Sequence, residues 1–92
     1  MTGKIPFNAW SQERIKQDRK FCTSRHKKYP NDERVAWLTP KLEWGFIRKH
    51  LWQTEGADSP EELQEVIEKI YHRKVPDDEM FYVHFGDFRE DK

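Results

Sequence analysis

The stretch at residues 20–25, Lys-Phe-Cys-Thr-Ser-Arg, follows a short amphipathic segment and leads into a basic loop. It places a primary amine, a hydroxyl and a guanidinium close together. If it is a strand, Thr23 and Arg25 share one face because side chains alternate, and Lys20 points to the other face unless the chain bends. A bend would let the amine meet the hydroxyl at the mouth of a pocket. These residues alone indicate either an anion or nucleotide site or a solvated basic edge strand.

Length and composition predict a single domain, residues 1–92, with one modest core. Four Trp, six Phe and three Tyr supply large apolar side chains to an otherwise polar chain. The lone cysteine, Cys22, excludes an intramolecular disulfide, and we expect a buried or strand-face thiol. Because no signal-peptide pattern and no bilayer-length apolar run is present, we expect a cytoplasmic protein with no membrane partner, monomeric by default.

The net charge of zero hides an asymmetry between the two halves of the chain. Residues 1–50 carry twelve Lys/Arg against five Asp/Glu, and residues 51–92 carry five against twelve. Many of the basic residues crowd around residues 20–25, where they could attract phosphates. The alternative is that they pair with the acidic helix predicted later in the chain.

The first half of the chain predicts one helix and two strands. Asn8 or Ser11 can cap a helix that ends near Gln17, where Asp18 takes the place of a C-terminal glycine. Residues 21–25 and 34–38 then read as strands, separated by a loop at residues 26–33. We expect residues 1–6 to be a frayed lead-in.

The second half predicts two helices and a closing strand. Thr39 followed by Pro40 suits a helix start, so we expect a second helix over residues 41–54, closed by Gly56. Ser59, with Pro60 after it and Glu62 as the partner in a capping box, begins a third helix. Its apolar stripe follows helical spacing and consists of Leu63, Val66, Ile67, Ile70 and Tyr71.

The closing strand is a continuous apolar run at residues 80–85. Phe81, Val83 and Phe85 should point to one face, with Tyr82 and His84 among the side chains on the other. We expect the acidic tail at residues 87–92 to be frayed.

The chemistry of single residues narrows the candidates for a site. The histidines are scattered and lack zinc-finger spacing, so we expect no metal site and no cofactor. Thr23 is a poor nucleophile without a base, and Lys20 could be that base in a Thr–Lys version of the Ser–Lys arrangement. Arg19 and Arg25 flank this pair, and Glu55 is a candidate to orient the amine. The alternative for Glu55 is an ordinary exposed glutamate at a helix end.

Four segments, in order along the chain, resemble the ASCH family (activating-signal-cointegrator homology). Residues 18–25 are similar to its Gly-x-Lys-x-x-Thr-x-Arg motif, with Asp18 in place of the glycine. Residues 31–35 resemble its Gly-Asp-x-Val turn, residues 55–63 its Glu-Gly segment and helix, and residues 81–85 its closing strand. Only about ten residues separate Val35 from Phe46, which leaves open an incomplete barrel.

The resemblance implies an α+β fold: a small PUA-like β-barrel with about three packed helices and a cleft lined by the motif. It implies a partner that is RNA or a modified cytidine nucleoside, since the family is associated with RNA. Small bacterial members hydrolyse the acetyl amide of N4-acetylcytidine. By position, the catalytic residues would be Lys20, Thr23 and Glu55, and Arg25 would meet a phosphate or oxyanion.

Three functions stay open at this point. The first is an ASCH-type amidohydrolase acting on N4-acetylcytidine. The second is a non-catalytic RNA-binding module, in which basic side chains track phosphates and Tyr29, Trp37 or Trp44 stacks on bases. The third is a protein-interaction role for exposed tryptophans. The residues that we expect to bind substrate or RNA are Arg19, Arg25, Lys27, Lys28 and Tyr29.

Overall fold

Three helices and a three-stranded antiparallel sheet make up the α+β fold of the computed structural model, which describes residues 4–89. The strands are arranged in the order β1-β3-β2, so the last strand of the chain is the central one. In chain order the elements are α1 (Ala9–Lys16), β1 (Cys22–Arg25), β2 (Val35–Glu43), α2 (Trp44–Leu51), α3 (Pro60–Tyr71) and β3 (Met80–Gly86).

Local capping signals set the ends of α1 and α3. The Asn8 side chain accepts a hydrogen bond from the Ser11 N–H at 2.9 Å, and α1 is followed by Asp18 with a φ of 60°. Ser59 Oγ accepts from the Glu62 N–H at 3.0 Å, as the capping box predicts. The Glu62 carboxylate, however, accepts from the Asp58 N–H at 2.6 Å, one residue before the cap.

The sheet is open among the described residues, and the predicted barrel closure is not formed there. β3 pairs with β1 in a register that includes Thr23 opposite His84, and with β2 in one that includes Leu38 opposite His84. β1 and β2 therefore lie at opposite edges. Residues 4–89 provide no further strand to join them.

The predicted start of the second helix is wrong. Thr39 and Pro40 lie inside β2, where the pairing register shifts between Leu38 and Lys41. The shift accommodates Pro40, which has no N–H to donate, and Thr39 Oγ1 accepts from the Val83 N–H at 3.0 Å. The helix α2 begins only at Trp44, and it ends at Leu51.

The main core lies between one face of the sheet and the helices α2 and α3. Phe81 and Val83 project from β3 into it, as alternation predicts, and meet Trp44 and Ile47 of α2 and Leu63 of α3. Cys22 is also buried in this core. Burial raises the pKa of the Cys22 thiol well above its ordinary value, which keeps the thiol protonated.

A second apolar cluster ties both ends of the described chain to the body. Ile5, Ile15 and Phe88 are buried together, with Phe7 packed against them. The expectation of frayed ends therefore does not hold for Ile5 and Phe88, because each finds apolar partners. Residues 1–3 and 90–92 lie outside the described residues. No helix within residues 4–89 has the length and apolarity that a bilayer crossing requires.

Candidate active site

The candidate site is a cavity of about 40 Å³ beside the edge strand β1. Side chains from α1, β1, α3 and the segments that precede β1 and α3 form its walls, and they include Trp10, Lys20, Thr23, Ser24, Glu55 and Tyr71. This volume is the space open to a sphere the size of a water molecule, and about 10–15 Å³ of it holds one water. The cavity therefore has room for about three non-hydrogen atoms.

A buried ion pair joins Lys20 to Glu55. Lys20 Nζ donates to Glu55 Oε1 at 2.9 Å and to the Glu55 carbonyl at 3.1 Å. The two side chains are only 3% and 5% exposed. The Lys20 ammonium also lies 5.7 Å from the centre of the Trp10 ring. Two of the three predicted catalytic side chains are thus in direct contact, and Glu55 is not an exposed helix-end glutamate.

Backbone contacts bring Glu55 to β1. The Thr54 carbonyl accepts hydrogen bonds from the Phe21 and Cys22 N–H groups, at 2.8 and 3.2 Å. Gly56 follows with a φ of 98°, a conformation that favours glycine, and a Cβ on it would lie 3.1 Å from the Lys20 Cβ. The turn after α2 therefore presses the Glu55 segment against the residues that lead into β1.

Ser24 is a further member of the site. Its hydroxyl donates to Glu55 Oε2 at 2.6 Å, so each oxygen of the Glu55 carboxylate has its own donor. Ser24 lines the cavity and is 6% exposed. Ser24 was not among the predicted site residues, because the resemblance points to its neighbour Thr23. The only signal was a second hydroxyl next to it on the predicted strand.

Thr23 lines the same cavity but makes a different contact. Arg25 Nε donates to Thr23 Oγ1 at 3.3 Å, which is consistent with the predicted shared face. Arg25 also lines the cavity and lies 5.3 Å from the Phe7 ring. Burial lowers the pKa of the half-buried Arg25 guanidinium. The amine and carboxylate of the predicted trio meet each other, whereas the Thr23 hydroxyl meets the guanidinium.

The other predicted binding residues do not line this cavity. Arg19 forms an ion pair with Asp58. Lys27 lies 5.3 Å from the ring of Tyr29, whose N–H donates to His84 Nε2 at 3.0 Å. These contacts place the basic loop over the sheet rather than at the cavity.

Tyr82 is an aromatic side chain on the sheet with two lysines close to it. The ammonium groups of Lys28 and Lys41 lie 5.4 and 5.8 Å from the centre of its ring. Trp44, one of the predicted stacking residues, is fully buried and cannot stack on a base. Trp37 is 61% exposed and remains available. Tyr82 was predicted to lie on the sheet face opposite Phe81 and Val83, but no role was assigned to it.

His26 fixes the beginning of the loop that follows β1. Its ring stacks on Phe81 with centroids 4.5 Å apart, and its Nε2 lies 2.6 Å from a Glu79 carboxylate oxygen. Arg73 also donates to that carboxylate and, with smaller help from His26, lowers the pKa of Glu79 to about 2. The His26 ring lies 4.9 Å from the ring of Tyr71, a wall of the cavity.

Comparison with known proteins adds no assignment: no family model, no curated protein and no solved structure matches the chain. Within residues 4–89, no three His, Cys, Asp or Glu side chains are grouped so that they could hold a metal ion.

Proposed function

We propose that the cavity beside β1 is the active site of an ASCH-type amidohydrolase, which removes a small acyl group from the N4 nitrogen of a cytidine-like nucleoside. The observation that carries the proposal is the buried contact between Lys20 and Glu55 in a cavity that the hydroxyl residues Thr23 and Ser24 of β1 also line. A positioned amine, carboxylate and hydroxyl are the groups that acyl transfer through a covalent intermediate requires.

Burial of the two charges supports a functional reading. Taking an ammonium and a carboxylate out of water costs several kcal/mol for each ion, and their attraction offsets this only when geometry is good. A small domain gains little net stability from such a pair, whereas active sites use buried charges regularly. Because Lys20 and Glu55 border a cavity rather than packed side chains alone, the pair has space beside it for a reacting group.

The size of the cavity limits the substrate group that enters it. Room for about three non-hydrogen atoms suits an acetyl group, which has three, and excludes a nucleobase. In this arrangement the acyl group enters, and the cytosine ring stays at the mouth. Arg25 can hold developing negative charge through its N–H groups. By the resemblance, Lys20 and Glu55 would activate Thr23 and then return a proton to the leaving nitrogen.

The test is release of cytidine from N4-acetylcytidine, followed by chromatography and mass spectrometry. Wild type should release cytidine, and Lys20→Met should not, when both are assayed under conditions in which tryptophan fluorescence shows Lys20→Met to be folded. Lys69→Met is the matched control, because Lys69 is an exposed lysine of α3 that does not line the cavity. No cytidine from wild type, or equal release from wild type and Lys20→Met, would refute the proposed function.

The second candidate function is binding of single-stranded RNA on the sheet. The specific observation in its favour is Tyr82 with Lys28 and Lys41 near its ring, since bases stack on aromatic rings while ammonium groups neutralise phosphates. Anisotropy of a labelled RNA oligonucleotide should show affinity that falls steeply with salt. Tyr82→Ala should weaken this binding, and Lys69→Ala should not. Salt-insensitive binding would count against this function.

A further inference from the structure

We infer that Ser24, rather than Thr23, is the nucleophile of the proposed hydrolysis, with the Glu55 carboxylate as its general base. This inference rests on the proposed function and names the residue that accepts the acyl group. It departs from the role that the family resemblance gives to Thr23.

The contacts of the two hydroxyls separate their roles. Ser24 Oγ lies 2.6 Å from Glu55 Oε2, which is within the distance for proton transfer between a nucleophile and its base. Thr23 Oγ1 instead accepts a hydrogen bond from Arg25 Nε at 3.3 Å. A hydroxyl oxygen that faces a cationic donor is made less nucleophilic, whereas one that donates to a carboxylate is activated.

Lys20 fixes the base in the orientation that this reaction needs. Its ammonium donates to Oε1 and to the carbonyl of the same residue, Glu55, so the carboxylate cannot rotate freely. Oε2 is left to face Ser24. Lys20 is then a positioning residue for Glu55 in the first proton transfer, and its charge remains in the cavity throughout.

The reaction balances with these groups and water alone. The Ser24 hydroxyl proton passes to Glu55 Oε2 while Oγ attacks the acyl carbonyl, so the negative charge moves from the carboxylate to the oxyanion. Lys20 and Arg25, which both line the cavity, supply the positive charge that stabilises it. Glu55 returns the proton to N4, the C–N bond breaks, and cytidine leaves. Water, deprotonated by Glu55, then attacks the carbonyl carbon of the Ser24 ester. The bond from that carbon to Ser24 Oγ breaks, Glu55 returns the proton to Oγ, and the carboxylic acid leaves.

Labelling by p-nitrophenyl acetate tests the nucleophile separately from amide turnover. This ester should acetylate wild type at Ser24, located by fragmentation of the modified peptide, and Thr23→Val should keep the label. Ser24→Ala should lose the label and lower turnover of N4-acetylcytidine by about 10³-fold or more. Ser24→Cys retains a nucleophilic atom of similar size and should be labelled. Its labelling would show that the site folds with a substitution at position 24, so that loss of the label in Ser24→Ala reports the missing hydroxyl rather than unfolding.

The outcomes distinguish the two proposals. Cytidine release together with an acetyl group on Thr23, or with full turnover in a folded Ser24→Ala, would overturn the inference and leave the proposed function standing. Acetylated Ser24 without cytidine release would refute the amide substrate and support the nucleophile. Neither label nor cytidine from wild type would overturn both.

Discussion

Replacing Lys20 with methionine should strongly destabilise the fold. Met has a similar length but no charge, so Lys20→Met leaves the Glu55 carboxylate buried without its ionic partner. Breaking a buried ion pair by removing one partner costs about 3–5 kcal/mol. The structure supports this range, because both side chains are almost fully buried and Lys20 makes two hydrogen bonds to Glu55. At about 4–8 °C per kcal/mol for a domain of this size, Tm should fall by at least about 12 °C.

Urea unfolding followed by tryptophan fluorescence measures this loss, since Trp44 is fully buried in the folded chain. The charge-removing double variant Lys20→Met/Glu55→Gln should recover much of the free energy of unfolding, because no unpaired carboxylate remains. Arg19→Met is the control: it breaks an exposed ion pair with Asp58, and its effect should be far smaller. A loss below about 1 kcal/mol in Lys20→Met would refute the reasoning, since that is the range of exposed pairs.

Three further predictions concern the fold around the site. Burial lowers the pKa of His84, so the unfolded chain binds more protons than the folded chain just below pH 6.5. The free energy of unfolding should therefore increase as the pH is raised through that range, and His84→Gln should flatten the slope; urea titration at several pH values gives the check. Ser59→Ala removes the cap of α3 and should cost about 1 kcal/mol in urea unfolding; no change would contradict the capping role. Thr39→Val leaves the buried Val83 N–H without its acceptor and should cost about 1–3 kcal/mol, with Thr39→Ser as the variant that retains the hydroxyl.

Helix ends that depend on local chemistry could be predicted from the sequence. Asn8 and Ser59 each accept a hydrogen bond from an N–H three residues later, and Asp18 adopts the left-handed conformation expected after α1. These interactions span only a few residues. The amino-acid types and their spacing therefore contain the necessary information.

Thr39 and Pro40 show where local information ends. A cap residue followed by proline is typical of a helix start, yet here the pair lies within β2. The acceptor that Thr39 provides is used by Val83, which is 44 residues away in sequence. Likewise, Phe88 is buried against Ile5 and Ile15, and only the folded topology brings these residues together.

The expected grouping of the candidate side chains came from the family resemblance rather than from local chemistry. The resemblance placed Lys20, Thr23 and Glu55 in one cleft, and the structure brings all three to one cavity. No residue pattern distinguished Ser24 from Thr23, because both are small hydroxyl residues of one short strand. Which of them donates to Glu55 depends on how the segment before α3 approaches β1, and that approach is a tertiary contact.

The two deeply buried carboxylates of the described chain have different surroundings, and the difference bears on function. Asp32 accepts hydrogen bonds from the Ile5 N–H and from the backbone and side chain of Arg34, which lower its pKa and tie the N-terminal segment to the body. Its burial has a structural explanation. Glu55 instead shares a cavity with the hydroxyl residues of β1 and the Lys20 ammonium group. Apolar side chains of similar volume could fill that space at equal or greater stability, so stability alone does not account for the arrangement at Glu55.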